Sequence, residues 1–294
     1  MNGILLVDKP EGMTSAGVVR LLKRPLEPAK IGHLGTLDPF ASGLLPLCVG
    51  EATKVARYLL LEDKAYTGRI RLGAETDTLD RTGAVTARAP VPELTQSAVD
   101  EVAARFRGPQ RQTPPMYSAL KRDGVPLYKL ARKGMEVERE AREVVIHALA
   151  LRLVAPDALD FEVRCSKGTY VRVLAADLGL ALGTVAHLEE LRRTQVGTFR
   201  VEDARAPEAL RGEPLSSWPV IGIPQALAGL RRFTLSGPDV ATLRRGQQGP
   251  LGALPKGEAG EAALVLTQEG AVAAVIEVAD ADRGWRMVRV LAAG

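Results

Sequence analysis

The stretch Gly32-His33-Leu34-Gly35-Thr36-Leu37-Asp38-Pro39-Phe40-Ala41 places one carboxylate on a loop, with a histidine five positions before it and a proline directly after. Two glycines within four residues cost backbone entropy that a packing element avoids, and Pro39 fixes its own φ while steering Asp38 toward an extended conformation. The acidic side chain is therefore aimed. An aspartate so placed serves as a nucleophile or an acid–base group, and keeping it charged in a sheltered pocket calls for a cation beside it. The same pattern also suits a plain connection, because Asp-Pro and Gly-x-x-Gly are common in turns.

The remaining reactive side chains limit the chemistry. Cys48 and Cys165 stand far apart and only three histidines are present, so no metal-ligand spacing exists and a reduced, metal-free protein is expected. Ser166-Lys167-Gly168-Thr169 lacks the glycine frame of a phosphate-binding loop, and Asp77 to Asp80 lacks the spacing of a calcium loop, which leaves a turn. His33 has no nucleophile at a useful spacing and suits a hydrogen-bonded structural residue as well as a ligand contact.

The run Ala41 to Lys54, the opening Leu5-Leu6-Val7-Asp8-Lys9-Pro10-Glu11-Gly12-Met13-Thr14-Ser15 and the Asp38 loop closely resemble the N-terminal motifs of the TruB-type tRNA pseudouridine synthases. Further matches follow in the same order: Lys64-Ala65-Tyr66, Thr76 to Asp80, Gln112 to Lys121, Ser166 to Arg172, and Leu188 to Arg193. Leu34 and Ser42 depart from the threonines common in that family, at positions without chemistry. The resemblance implies an isomerase that converts uridine to pseudouridine at position 55 in the T loop of tRNA. It makes Asp38 the catalytic carboxylate, Arg172 its cation and Tyr66 the residue that stacks on the uracil and takes the C5 proton. It assigns Tyr170 and Leu191 to the base pocket and Lys121 to RNA contact. Because a stacked, paired uridine must be extruded, a flat side chain filling the vacated place is expected and His33 is read as that group, while Lys9, beside Pro10, is read as bracing the catalytic loop or meeting a phosphate. Two alternatives stay open: a non-catalytic tRNA-binding chaperone, and a related synthase acting on another RNA.

These residues need a scaffold to bring them together. Ile4 to Val7 reads as a short buried strand, Thr14 or Ser15 as the cap of a helix reaching about Lys23, and Tyr66 to Leu72 as a strand with one polar face. Pro92 is expected to open a helix that buries Val99, Val102, Ala103 and Phe106 and ends before Gly108. Val144 to Val154 and Leu159 to Cys165 read as strands, and Val171 to Leu182 as a helix. Strands and helices mix without strict alternation, which predicts an α+β fold on a mixed sheet.

At 294 residues and 46% hydrophobic content, the chain can bury a large core. We expect a catalytic domain over 1–228 and a small β-barrel module over 229–294, because short strands parted by glycines follow Arg231; by resemblance that module is PUA-like. The segment 112–143 carries seven basic residues, among them Lys121, Lys129, Arg132 and Lys133, against five acidic ones. It reads either as a solvated surface helix or as a mobile RNA-gripping insertion in which Tyr117 and Tyr128 interleave with cations. A formal charge of +4 is only mildly basic, yet 29 of the 39 cations are arginine, the side chain suited to phosphate and base stacking. With no signal-like start and no run of 18 apolar residues, a cytoplasmic protein with no membrane partner is expected. The resemblance implies action on the T stem-loop of tRNA without a cofactor, and with nothing to suggest an obligate partner a monomer is expected.

Overall fold

The computed structural model describes residues 1–122, 124–279 and 284–292; Asp123, counted above among the acidic residues of the 112–143 segment, lies outside them. In chain order the strands that build the large sheet are β1 (Gly3–Lys9), β2 (Ser42–Val49), β3 (Lys64–Leu72), β4 (Gly108–Gln112), β5 (Arg142–Ala155), β6 (Ala158–Cys165), β7 (Ala186–Val196) and β8 (Val220–Ile221). They lie in the order β8-β1-β2-β7-β3-β6-β5-β4, with Ile31–His33 added on β2 and Phe199–Arg200 on β7. Neighbours run antiparallel except at the centre, where β2 and β7 pair in parallel through Ser42–Arg192 and Gly43–Arg193. The site described below lies at this junction.

Helix α1 (Ser15–Leu26) begins where Thr14 Oγ1 accepts the Gly17 amide at 2.9 Å, and it buries Ser15, Val18, Leu22 and Leu26 along one stripe against β1 and β2. Helix α2 (Gln96–Arg105) starts four residues after Pro92, correcting the expected boundary. Thr95 supplies the cap by accepting the Ala98 amide, while Pro92 stays in the preceding coil. Helix α3 (Val171–Ala181) follows Gly168, whose φ of +84° makes the corner that a side chain would disfavour. Together α2 and α3 cover one face of β3, β5, β6 and β7, sealing Ile70, Leu149, Phe161, Val163, Leu188 and Leu191. Leu37, Phe40 and Ala41 of the Asp38 loop join that same core. Among the described residues no helix is long and apolar enough to cross a membrane.

The two central strands β2 and β7 were not anticipated as elements. Strand β2 is buried from Gly43 to Val49 and gives the unbroken apolar run of a strand covered on both faces. Strand β7 hides its periodicity through two irregularities in its ladder with β3, and it places Glu189 and Arg192 on the solvent face opposite Arg71 and Asp8.

After Ile221 a second sheet forms from β9 (Arg231–Thr234), β10 (Ala262–Leu266), β11 (Val272–Val278) and β12 (Trp285–Val290), with helix α4 (Gly237–Arg244) packed on it. The short strands expected after Arg231 are present. Among the described residues they form a four-stranded path, parallel at β9–β10 and antiparallel after it. Leu264, Leu266, Val272 and Val275 share a core with Ile4, Leu6 and Leu44 of the large sheet. Above this contact Tyr58 donates to Glu277 Oε1 at 2.7 Å, and Arg57 pairs with the same carboxylate.

Candidate active site

The loop carrying Asp38 is held from both sides. Ser15 Oγ accepts the Leu37 amide at 2.8 Å and donates to the Leu37 carbonyl at 3.0 Å, and the Gly12 amide donates to Pro39 O at 2.7 Å. Lys9, with no exposed surface, donates its ammonium to Met13 O at 2.7 Å, Pro10 O at 2.9 Å and Pro39 O at 3.4 Å. Burial lowers its pKa to about 8, against partial support from Asp38 and Glu11. The structure thus gives Lys9 the bracing contacts of the two roles expected for it.

Asp38 meets Arg172 across the junction. Arg172 Nε lies 2.9 Å from Asp38 Oδ2, and its Nη2 donates to Asp38 Oδ1 at 3.4 Å. The guanidinium is 4% exposed and its other donors are also used: Nη1 to Thr78 O and Nη2 to Tyr117 O, each at 2.7 Å. A second carboxylate, Asp80, lies 3.6 Å from Nη1. Burial pushes the Asp38 carboxyl above the ordinary 3.8, Arg172 opposes that shift, and the like charge of Asp80 adds to it.

The turn read from the sequence at Asp77 to Asp80 is present, but it belongs to the site. Leu79 adopts φ 59°, a left-handed backbone that costs on the order of 1 kcal/mol for a residue with a side chain. Hydrogen bonds from Leu79 N to Thr76 O and from Leu188 N to Leu79 O hold it there and aim the Thr78 carbonyl at Arg172. Asp80 is buried and accepts from Thr78 Oγ1 and Thr82 N, both at 2.9 Å. Its signal in the sequence is the threonine on either side, which a buried carboxylate needs as donors.

Tyr66 stands on β3 between Val163 of β6 and Arg193 of β7, half-buried and packed against the core that holds Leu37 and Phe40. Burial pushes its phenol up, with Arg193 pulling against that shift. Leu191, opposite Gly68 on the same face, is buried in that core. Tyr170 occupies the cap position of α3, and Gln112 ties its backbone by accepting the Tyr170 amide at 2.9 Å and donating to its carbonyl at 3.2 Å. His33 ends the short strand on β2 with a buried Nδ1 that has no hydrogen-bond partner; burial first and Arg193 second lower its pKa, which favours a neutral ring. Lys121 is not part of this cluster. It lies exposed on a short strand, Lys121–Arg122, paired with Val125–Pro126, and among the described residues between β4 and β5 the one helical stretch is Leu127–Ala131, so the single surface helix does not form.

Asp38, Arg172, Asp80 and Tyr66 therefore form a carboxylate whose pKa is raised by burial and partly restored by a guanidinium, beside a phenol on a rigid strand. Such a set suits attack on, or proton movement around, a flat ring lodged against Tyr66. Asp80, Ser15 and Arg193 were not singled out for this set from the sequence.

Residues 23–171 match the family described as TruB family pseudouridylate synthase (N terminal domain), and residues 172–211 match the tRNA pseudouridylate synthase B C-terminal domain. The chain is 54% identical to the tRNA pseudouridine synthase B of Azoarcus sp. (strain BH72) over 73% of its own length and 71% of the relative's. It is 41% identical to the protein of that name from Nitrosococcus oceani over 93% of each. In fold it is similar to a chain in the crystal structure of a Cbf5-Nop10-Gar1 complex, with a TM-score of 0.73 at 24% identity, covering 98% of this chain and 84% of the other.

Proposed function

Because this chain belongs to the TruB family of pseudouridylate synthases, we propose that it isomerises uridine to pseudouridine in tRNA, at position 55 of the T loop, with Asp38 as its essential carboxylate. The observation that carries the reading is the 2.9 Å contact between Arg172 Nε and Asp38 Oδ2 inside the Gly32–Pro39 loop. The reaction breaks the N1–C1′ bond, turns the detached uracil and joins C5 to C1′; N1 gains a proton and C5 loses one. Arg172 keeps Asp38 available as a carboxylate for the step at C1′ or at the base, and Tyr66 supplies a face for the free uracil.

A T-loop uridine is stacked in the folded tRNA, so it must leave the stack at a cost of a few kcal/mol. His33, neutral and with its Nδ1 unpartnered, sits on the strand leading into the catalytic loop and fits the place the base vacates. Tyr170 and Leu191 line the pocket, and the exposed cations of 112–143, Lys121 among them, track the phosphates. In this reading residues 1–228 are the catalytic domain and 229–294 a PUA-like module, and the enzyme acts as a cytoplasmic monomer.

The test is tritium release from tRNA carrying [5-³H]uridine, with the purified protein, its Asp38→Asn variant, and a transcript with cytidine at position 55. We expect one tritium per tRNA from the wild type and none from the other two arms. Release from Asp38→Asn overturns the role of Asp38; release from the cytidine transcript overturns the choice of position; no release from the wild type overturns the activity.

A further inference from the structure

Among the described residues Arg193 is the largest fully buried side chain, 1% exposed, and it has no carboxylate within ion-pair distance. A guanidinium without a counter-ion is costly inside a protein, and an apolar residue of similar volume would pack there more cheaply. What it touches explains why a cation occupies the place. Nε donates to Leu44 O at 2.8 Å, Nη2 to Gly35 O at 3.2 Å and Nη1 to Thr36 O at 3.4 Å. Gly35 and Thr36 are the third and second residues before Asp38.

Arg193 and Tyr66 are directly opposed cross-strand partners of β7 and β3, which sets their side chains beside each other on one face of the sheet, where the guanidinium favours the ionised phenol. The other end of Arg193 is equally constrained, because β2 passes so close that a Cβ on Gly43 would lie 2.3 Å from the Arg193 carbonyl oxygen. At Gly43 the backbone has φ +103°, open to glycine, so the approach of the two strands depends on that residue. The positive charge is also felt around it: it helps lower the pKa values of Lys9, His33 and Lys64.

We propose that Arg193 is a positioning residue of the isomerisation, one guanidinium that sets the loop bearing Asp38 and, at the same time, orients the Tyr66 oxygen toward the C5 proton. The proposal rests on the uridine isomerisation argued above. In the balanced step, the Tyr66 phenol gives its proton to N1 of the detached uracil. After C5–C1′ bond formation the resulting phenolate takes the C5 proton, and the electron pair of the C5–H bond restores the ring double bond. Arg193 offsets the negative charge on the oxygen between these two transfers. Because both reacting groups hang on one side chain, a small change at residue 193 misplaces them together.

The test compares wild type, Arg193→Lys, Tyr66→Phe and the double variant in single turnover on tRNA, with protium and with deuterium at C5 of the target uridine. Lysine keeps the charge but loses the fork, and we expect tRNA affinity close to wild type with a rate loss of about 10²-fold, the scale of a slight misplacement of reacting groups. A primary deuterium isotope effect should appear on the chemical rate, and the Arg193→Lys loss should shrink in the Tyr66→Phe background, because partners acting through one another are not additive. An unchanged rate, or an equal loss in both backgrounds with no isotope effect, makes Arg193 a core residue only and overturns the proposal. Should Arg193→Lys fail to fold, Tyr66→Phe decides alone: it removes the acceptor, and absence of the isotope effect there overturns the proposal. A wild type that forms no pseudouridine sinks the function, whereas a fully active Arg193→Lys sinks this inference and leaves the function standing.

Discussion

The Asp38 loop and the 112–143 segment are both irregular chain, yet they are held in opposite ways. The loop is anchored by Leu37, Phe40 and Ala41 in the core and by hydrogen bonds from Gly12, Ser15, Lys9 and Arg193. The segment buries Pro114, Pro115, Ser118 and Leu127 but leaves Lys121, Lys129, Arg132 and Lys133 in solvent, and among the described residues its regular structure between β4 and β5 is two very short strands and a five-residue helix. Arg172 links the loop and the segment, because it contacts Asp38 and donates to the Tyr117 carbonyl, and the Tyr117 phenol donates to Asp77 at 3.2 Å. The difference follows from the tasks. Bond making tolerates little displacement of a carboxylate, while gripping a polyanion depends on charge within reach more than on one geometry.

The largest effect expected from this contrast is at Asp38. Asp38→Asn should lower the single-turnover rate by roughly 10⁴-fold or more, the scale of losing an essential acid–base or nucleophilic group, while tRNA affinity changes little. An affinity loss equal to the rate loss would move Asp38 to the binding side of the comparison.

Tyr66 tests whether the rigid side includes a proton-transfer group. Tyr66→Phe keeps the stacking face and loses the phenol, whereas Tyr66→Leu loses both. We expect each to lose roughly 10²-fold or more in chemical rate, within the range of general acid–base catalysis, and only leucine to weaken retention of the flipped base as well. A near-normal rate in Tyr66→Phe leaves stacking as the sole role.

For the gripping side, neutralising Lys121, Lys129, Arg132 and Lys133 together should weaken binding to every tRNA and leave the saturated chemical rate near wild type. Each lost phosphate contact lowers the slope of log affinity against log salt by about 0.7–0.9. Fluorescence titrations over a range of salt check this, and an unchanged slope returns the segment to an ordinary solvated surface.

The smallest expected effect concerns Lys9 and pH. Burial lowers its pKa from 10.5 to about 8, so across that window the unfolded chain binds more protons than the folded chain. Stability contributed by this group therefore rises with pH between those values, by less than about 1.4 kcal/mol per pH unit. Urea midpoints compared between wild type and Lys9→Met across the window measure it. Parallel pH dependence in the two proteins would show that the ammonium is as well solvated as in an open chain.

What the sequence determined by itself is local. The glycines and Pro39 around Asp38 mark a loop because their backbone preferences act over one or two residues, and the Thr14 cap and the alternation from Tyr66 to Leu72 are legible for the same reason. The strands after Arg231 also declared themselves, as did Arg172 through its motif. Strand β2 did not, because its continuous apolar run fits a buried strand or helix alike, and β7 did not, because its irregular ladder and outward ion pairs erase the two-residue period. Only the tertiary structure decided which charges meet. Arg172 reaches Asp38 across 134 positions of sequence and finds Asp80 on the far side of a strained Leu79, while Arg193 comes to lie behind both Gly35 and Tyr66. Those contacts depend on the parallel pairing of β2 with β7 at the centre of the sheet, and strand order arises from packing between segments far apart in the chain, where no local preference acts.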